Sequence, residues 1–429
     1  MGSWGYSMID RALAKTTLAV VACFSLANSA AAGGIERYGY DIDLLFDTSR
    51  YVMDGGVTYV MPGRKITNAR DVNPRDGNLN SRPNSVSDGP TYGVPYIGFK
   101  IGVTDDVDCL ADYSEPFGAH SNPGLDWAGA NYNVEEEIRS HNYGLTCSYK
   151  FDLGPGQLRL IGGGFYQEVL GFKEQLVAPL PAPLSSLYSG MGRLELRDNG
   201  WGWRSGVAYE IPEYAMRASL VYNSQVKYDN LTGTVDLTGV PKFLYPTNPA
   251  VGAVTPVYGS ATAPDSLELK LQTGIAPDWL AFGSATWTNW STLQSVAFCP
   301  KSTRGVVACK PGGAAELSSL DLLYKDGWTL RAGLGHKFNA QWSGAVSLGW
   351  DQGTSHGYGL SSDTWTLGAG LSFAPTEHIE YRLAGAVGML TSGKSGTVTS
   401  NGVTYGDDVT YSYGNDFVGV VSTAVKIKF

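Results

Sequence analysis

Segment after segment of this chain alternates apolar side chains with small, polar or charged ones at a period of two. In GWGWRSGVAYE, Trp201, Trp203, Val207 and Tyr209 alternate with Gly202, Arg204, Gly206, Ala208 and Glu210. LELKLQTG sets Leu267, Leu269 and Leu271 against Glu268, Lys270 and Gln272, and WTLRAGLGHKF sets Trp328, Leu330, Ala332 and Leu334 against Arg331, Gly333 and Lys337. The same dyad runs through TWTLGAGLSF from Trp365 and IEYRLAGAVGM from Ile379. A period of two marks strands, because successive side chains leave a pleated backbone on opposite faces. Beyond the first 32 residues no stretch approaches 18 uninterrupted apolar residues, so no transmembrane helix is expected there. A membrane passage must then be made by a closed barrel.

A half-solvated sandwich also alternates, so the occupants of the two faces decide. The apolar face carries Trp and Tyr at the strand ends, and the other mixes small residues with single charges. The segments run about 9 to 12 residues, the tilted length that crosses hydrocarbon. A charge on the lipid face costs roughly 2 to 4 kcal/mol near the midplane. In these five segments only His336, near a strand end, stands on that side. The last run, VVSTAVKIKF, puts Val421, Val425, Ile427 and Phe429 on one face and Lys426 and Lys428 on the other. Short turns at 105–106, 152–156, 211–214, 277–279, 339–340 and 375–378 alternate with long loops near 62–93, 116–137, 169–198, 229–264, 294–325, 351–363 and 390–415. Six short and seven long connections predict an all-β, antiparallel up-and-down transmembrane β-barrel of about 14 strands over 51–429, with both termini on the short-turn side.

At the N-terminus, Arg11 and Lys15 precede an apolar run from Leu18 to Leu26 and then Ala30-Ala31-Ala32. This pattern predicts a secretory signal peptide over 1–32, whose core is too short to span a bilayer. The net charge of −9 becomes −10 once Asp10, Arg11 and Lys15 leave with it. An acidic exported chain is a poor match for nucleic acid, and that class is set aside. Cys109, Cys147, Cys299 and Cys309 remain, and an even count in an oxidising compartment predicts disulfides. Cys299 and Cys309 flank a Gly/Lys/Pro-rich loop as a local staple, whereas Cys109 and Cys147 fall on neighbouring predicted strands. No Cys-x-x-Cys or nearby His completes a ligand set, so neither metal nor cofactor is expected.

Two loops are more apolar than display requires. Residues 169–198 hold Phe172, Leu176, Leu180, Leu184 and Leu187, and residues 237–264 hold Phe243, Leu244 and Tyr245. They either pack on each other as a lid or form a greasy collecting site above the lumen, and the two roles are compatible. A carboxylate ligand would need a lumenal cation. Arg331 and Arg382 project inward by register, Lys325 stands at the mouth of the strand that carries Arg331, and Lys173 begins the first apolar loop. Each is more simply an interior ion-pair partner for Glu210, Glu268 or Glu380, since buried charges must be paired. The rim histidines His120 and His356, the latter near Ser355 and Asp351, are too sparse to predict an enzyme.

The stretch NGWGWRSGVAYEIPEYAMRASLVYNSQVKYDNLTG (199–233), with YKDGWTLRAGLGHKFNAQW (324–342), PDWLAFGSATWTNWS (277–291) and the terminal Phe429, resembles the FadL-type outer-membrane transporters of long-chain fatty acids and aromatic hydrocarbons. The resemblance implies a multi-pass barrel in the outer membrane of a Gram-negative bacterium and an N-terminal plug, the hatch. It further implies hydrophobic ligand captured by outer loops, and exit sideways through a kinked third strand. Lipid and detergent would coat its exterior, and the family's assembly signal corresponds to Phe429. Only residues 33–50 are available as a hatch, and Asn248-Pro249-Ala250, similar to a hatch motif, lies in a long loop. In the third strand Pro116, between Glu115 and Phe117-Gly118, lacks the N–H a ladder needs. It either opens a gap there or ends the strand. The competing function is a passive general or small-solute porin.

Overall fold

The computed structural model describes residues 34–37, 39–73 and 77–429; the predicted signal peptide, 1–32, lies outside them. Fourteen strands form the barrel: β1 (Tyr51–Pro62), β2 (Tyr92–Gly102), β3 (Val107–Ser114), β4 (Glu135–Leu153), β5 (Gly156–Leu176), β6 (Met191–Ile211), β7 (Met216–Asn223), β8 (Ser266–Ala276), β9 (Trp279–Thr288), β10 (Gly327–Lys337), β11 (Trp342–Asp351), β12 (Thr364–Phe373), β13 (Ile379–Leu390) and β14 (Asp416–Lys428). Each pairs antiparallel with the next. The last closes on the first from Val52↔Lys428 to Pro62↔Val418, so no edge is left open at the seam.

The outer surface is what a bilayer requires. Leu267, Leu269, Leu271, Leu330, Leu367, Leu383 and Val421 are exposed, whereas Arg204, Ala208 and Lys426 are buried on the inward face. Aromatic rings meet across strands at both rims. At the long-loop rim Tyr143 meets Tyr166 (6.4 Å), Tyr166 meets Trp201 (5.2 Å) and Trp203 meets Tyr222 (5.3 Å). At the short-turn rim Trp279 meets His336 (4.3 Å) and Trp342 meets Phe373 (4.6 Å). His336 therefore takes part in the interfacial belt, where a polar ring edge is tolerated. Cys109 and Cys147, directly opposite on β3 and β4, are disulfide-bonded on the lipid-facing side, and Cys299 and Cys309 are bonded in the outer region after β9.

Strand length departs from expectation. β4, β5 and β6 run 19, 21 and 21 residues. Much of the expected loops 169–198 and 229–264 is thus strand, continued by Val226–Asp236 and Val254–Ala263. The cause is a change of surroundings along one strand. On β6 the outward positions are apolar at Trp201, Trp203 and Val207 but charged at Arg193, Glu195 and Arg197, while the inward ones turn apolar at Leu194 and Leu196. Above the membrane the outside is water and the inside is core, so the binary pattern inverts without any break in the ladder.

Candidate ligand pocket and side opening

The described residues before β1, 34–37 and 39–50, lie inside the barrel. A short 3-10 turn at Asp43–Phe46 buries Ile42, Leu45 and Phe46 against Leu110, Ile161, Ala208 and Val221, inward positions of β3, β5, β6 and β7. Its carboxylates meet a ring of cations on the wall. Asp43 pairs with Arg217 and Lys270, each at 3.3 Å, and Asp47 pairs with Lys426 at 3.4 Å and Lys428 at 3.5 Å. Burial pushes both carboxyls up, but these cations outweigh it and hold them below the ordinary range.

The third strand breaks where Pro116 stands. β3 ends at Ser114, and its line resumes over Gly118–Ser121, still paired with β4 but not with β2. Three residues, Glu115 to Phe117, oppose two on β4, Ser140 and His141, between the pairs Ser114↔Asn142 and Gly118↔Arg139. That bulge bends the strand away from β2 and leaves the wall unpaired there. The N-terminal segment supplies the missing backbone partners: Arg37 N–H donates to Pro116 O (2.8 Å), and Gly118 N–H donates to Ile35 O (2.7 Å). The Arg37 side chain crosses the break, its guanidinium 3.7 Å from Glu115 and over the Tyr92 ring at 4.4 Å.

Phe117 also walls an apolar cavity of about 60 Å³. Ile35 of the N-terminal segment, Ile138 and Leu196 of the barrel, and Tyr228, Phe298 and Leu320 of the outer extension complete most of it. Room of that size holds several waters or a small apolar fragment, so a larger guest requires side chains to move. An aromatic chain borders it, with Tyr40 edge-on to Phe117 (5.7 Å) and Phe117 edge-on to Trp290 (5.6 Å).

None of the twelve residues expected to bind ligand lines this cavity. Phe172 points out of the barrel under the Arg193 guanidinium at 4.1 Å, and Lys173 is buried with its ammonium 5.4 Å from the Tyr132 ring. Leu176 packs into a second outer core, while Leu180 borders the first. Leu187, Phe243, Leu244 and Tyr245 are exposed at the loop tips, with Leu184 half-buried beside Leu187, and Lys325 is exposed at the rim. Of the inward arginines, Arg382 pairs with Asp54 and also has the expected Glu380 among its acidic neighbours, and Arg331 lies in the field of Asp351 and Glu36. Glu210 takes Arg159 (2.9 Å), Glu268 takes Lys270 (3.4 Å), and Glu380 accepts from Ser372 (2.7 Å). At the rim Ser355 Oγ donates to the Tyr358 carbonyl, not to His356, and His120 stands 3.1 Å from Glu135. The inverted alternation of Leu194 and Leu196 was the one signal in the sequence that could have located the cavity.

Residues 44–356 match a family described as outer membrane protein transport protein (OMPP1/FadL/TodX). The chain is 26% identical over 264 residues to a long-chain fatty acid transport protein of Salmonella typhi, covering 57% of this chain and 60% of that relative. It is 22% identical over 363 residues to the protein of the same description in Escherichia coli O6:H1, covering 78% and 76%. Among solved structures, a Pseudomonas aeruginosa FadL homologue matches with a TM-score of 0.71 at 18% identity, covering 94% of this chain and 97% of that one. The Pseudomonas putida toluene transporter TodX matches with a TM-score of 0.59 at 14% identity, covering 94% and 96%. At these identities the solved structures establish a shared fold.

Proposed function

This chain belongs to the OMPP1/FadL/TodX family of outer membrane transport proteins, and from that premise we propose that it carries hydrophobic compounds across the outer membrane of a Gram-negative bacterium. One observation carries the proposal: Phe117 is at once a wall of the apolar cavity and part of the break in the third strand. A guest in that cavity is one side chain from the bilayer. The exposed loop-tip residues Leu187, Phe243, Leu244 and Tyr245 offer first contact with an apolar solute. Residues 34–50 act as the plug, held by their ion pairs to the wall, and the route out is the gap at Glu115–Phe117 and Gly118. The protein is read as a conduit without catalytic chemistry. Lipid covers its exterior, and the assembly machinery engages the strand that ends at Phe429.

The test is reconstitution in planar bilayers and in vesicles. A hydrophobic channel of this kind passes little steady ion current while accelerating entry of a hydrophobic fluorophore into the vesicle membrane. Large, steady conductance with no acceleration would make it a porin instead.

A further inference from the structure

Below the apolar cavity, the wall formed by β3 to β7 changes character. On this one wall, ten buried side-chain atoms lack a hydrogen-bond partner among the described residues. They include both amide atoms of Asn142, Nε2 of Gln167, Oδ1 of Asp112 and all three guanidinium nitrogens of Arg204. Asn142 and Gln167 are 0% exposed and Arg204 2%. The charge nearest Arg204 is Asp112, 3.8 Å from Nη1 and beyond hydrogen-bond reach. Tyr40 and Phe165 flank the guanidinium at 5.5 and 5.3 Å. Buried donors and acceptors without partners cost about 1–3 kcal/mol each, so such a concentration in a native interior calls for an occupant.

Tyr40 separates this tier from the cavity above. Its ring meets Phe165 at 5.0 Å on one side and Phe117, a cavity wall, at 5.7 Å on the other, and its hydroxyl donates to Gln167 Oε1 at 3.3 Å. Along β4 the inward positions run from Ser140, which lines the cavity, to Asn142 and then Thr146, level with Arg204 through Gly163. Through Tyr40, the Arg204 guanidinium lies no more than about 11 Å from the Phe117 ring.

We propose that Arg204, Asp112, Asn142 and Gln167 form a second subsite, beneath Tyr40, for the neutral hydrogen-bonding head group of a long-chain amphiphile whose tail occupies the apolar cavity. The proposal rests on the transport reading above and narrows its cargo. Arg204 and Asp112 cancel in charge and present donors beside an acceptor. A head group that both donates and accepts, such as an alcohol, a primary amide or a protonated carboxylic acid, satisfies both. A carboxylate would pair with Arg204 but face Asp112, and a hydrocarbon satisfies neither. A single ring fills the cavity alone, so a ligand that also reaches past Tyr40 needs a chain.

The experiment is displacement of pyrene from the full-length barrel in lipid nanodiscs by n-decane, 1-decanol and decanoate. Arg204→Met and Gln167→Leu are each compared with wild type, so that partitioning into lipid cancels. Arg204→Met is expected to weaken 1-decanol about tenfold, the worth of one to two buried hydrogen bonds, and to leave n-decane unchanged. Gln167→Leu is expected to do the same to a lesser degree, and it carries the test if Arg204→Met does not form a heat-modifiable barrel. Unchanged 1-decanol displacement in both variants would mean that water alone fills the tier and would overturn the subsite. Equal loss for 1-decanol and n-decane would reduce it to packing. A wild-type preference for decanoate that disappears in Arg204→Met would overturn the neutral head group. Failure of every compound to displace pyrene from wild type would refute the transport reading itself, and the subsite with it.

Discussion

Asp47, in the segment before the first strand, and Lys426, in the last, meet with Oδ2 and Nζ 3.4 Å apart and almost wholly buried. Lys428 reaches the same oxygen at 3.5 Å, and Lys100 Nζ donates to the carbonyls of Asp47 and Ser49 at 2.9 and 2.8 Å. Because the Asp47 pKa is depressed, its stabilisation is complete above the ordinary carboxylate value and is lost only as pH falls through the depressed one. Asp47→Asn takes one charged partner from buried Lys426, which keeps the field of Asp43, and costs up to about 3–5 kcal/mol. Lys428→Met removes a partly exposed partner and costs under about 1 kcal/mol. Thermal unfolding in detergent separates the two, and small, equal shifts would show that the pair does not clamp the segment.

The break in the third strand is a matter of counting. Glu115 to Phe117 are three residues where β4 supplies two. Deleting Pro116 equalises the count, lets the ladder to β2 continue, and closes the wall. The variant is expected to form a stable barrel that still binds a hydrophobic probe in detergent while vesicle uptake of that probe falls to background. Normal uptake by the deletion variant would rule out the side route.

Much of this fold was legible because lipid imposes one pattern on every crossing. Trp201, Leu269, Leu330 and Leu383 each announce a strand and its outward face without reference to any other part of the chain. The extension of β4 to β6 was not legible by that rule, because Arg193, Glu195 and Arg197 face water there and Leu194 and Leu196 face the core. The cavity was harder still. Ile35, Phe117, Tyr228, Phe298 and Leu320 come from distant segments, and only barrel closure and its outer extension bring them together. Ion-pair partners followed the same logic: Arg382 finds Asp54 across the seam between the last strand and the first, a contact no local spacing encodes.

Glu36 predicts a pH dependence of the opposite sign to Asp47. Burial, then Asp351 and more weakly Glu268, push its carboxyl up from 4.5 to about 7 against the pull of Arg331. A raised carboxyl pKa means that the docked segment holds a proton the released one would lose. Docking therefore weakens as pH rises from about 4.5 to 7 and is level above. The readout is amide exchange at Arg37 and Gly118, whose N–H groups bridge the segment to the break at 2.8 and 2.7 Å. Protection, corrected for intrinsic rates, should fall across that interval in wild type and stay flat in Glu36→Gln. An identical slope in both would assign the titration to another group.

The outer loop tips carry the last prediction. Leu187 is 73% and Phe243 58% exposed, on adjoining loops joined by the bond from Gly190 N–H to Gly239 O at 2.8 Å. Side chains this exposed contribute little to the core, so Leu187→Ser with Phe243→Ser should change stability by no more than about 0.5 kcal/mol per site. Removing two apolar contacts should lower the initial rate of uptake at dilute cargo, while the rate at saturating cargo stays the same. Capture and passage are then separate steps, the first on the loops and the second at Phe117. A variant whose uptake is unchanged at every concentration would show that these tips take no part in capture and that cargo reaches the cavity by another approach.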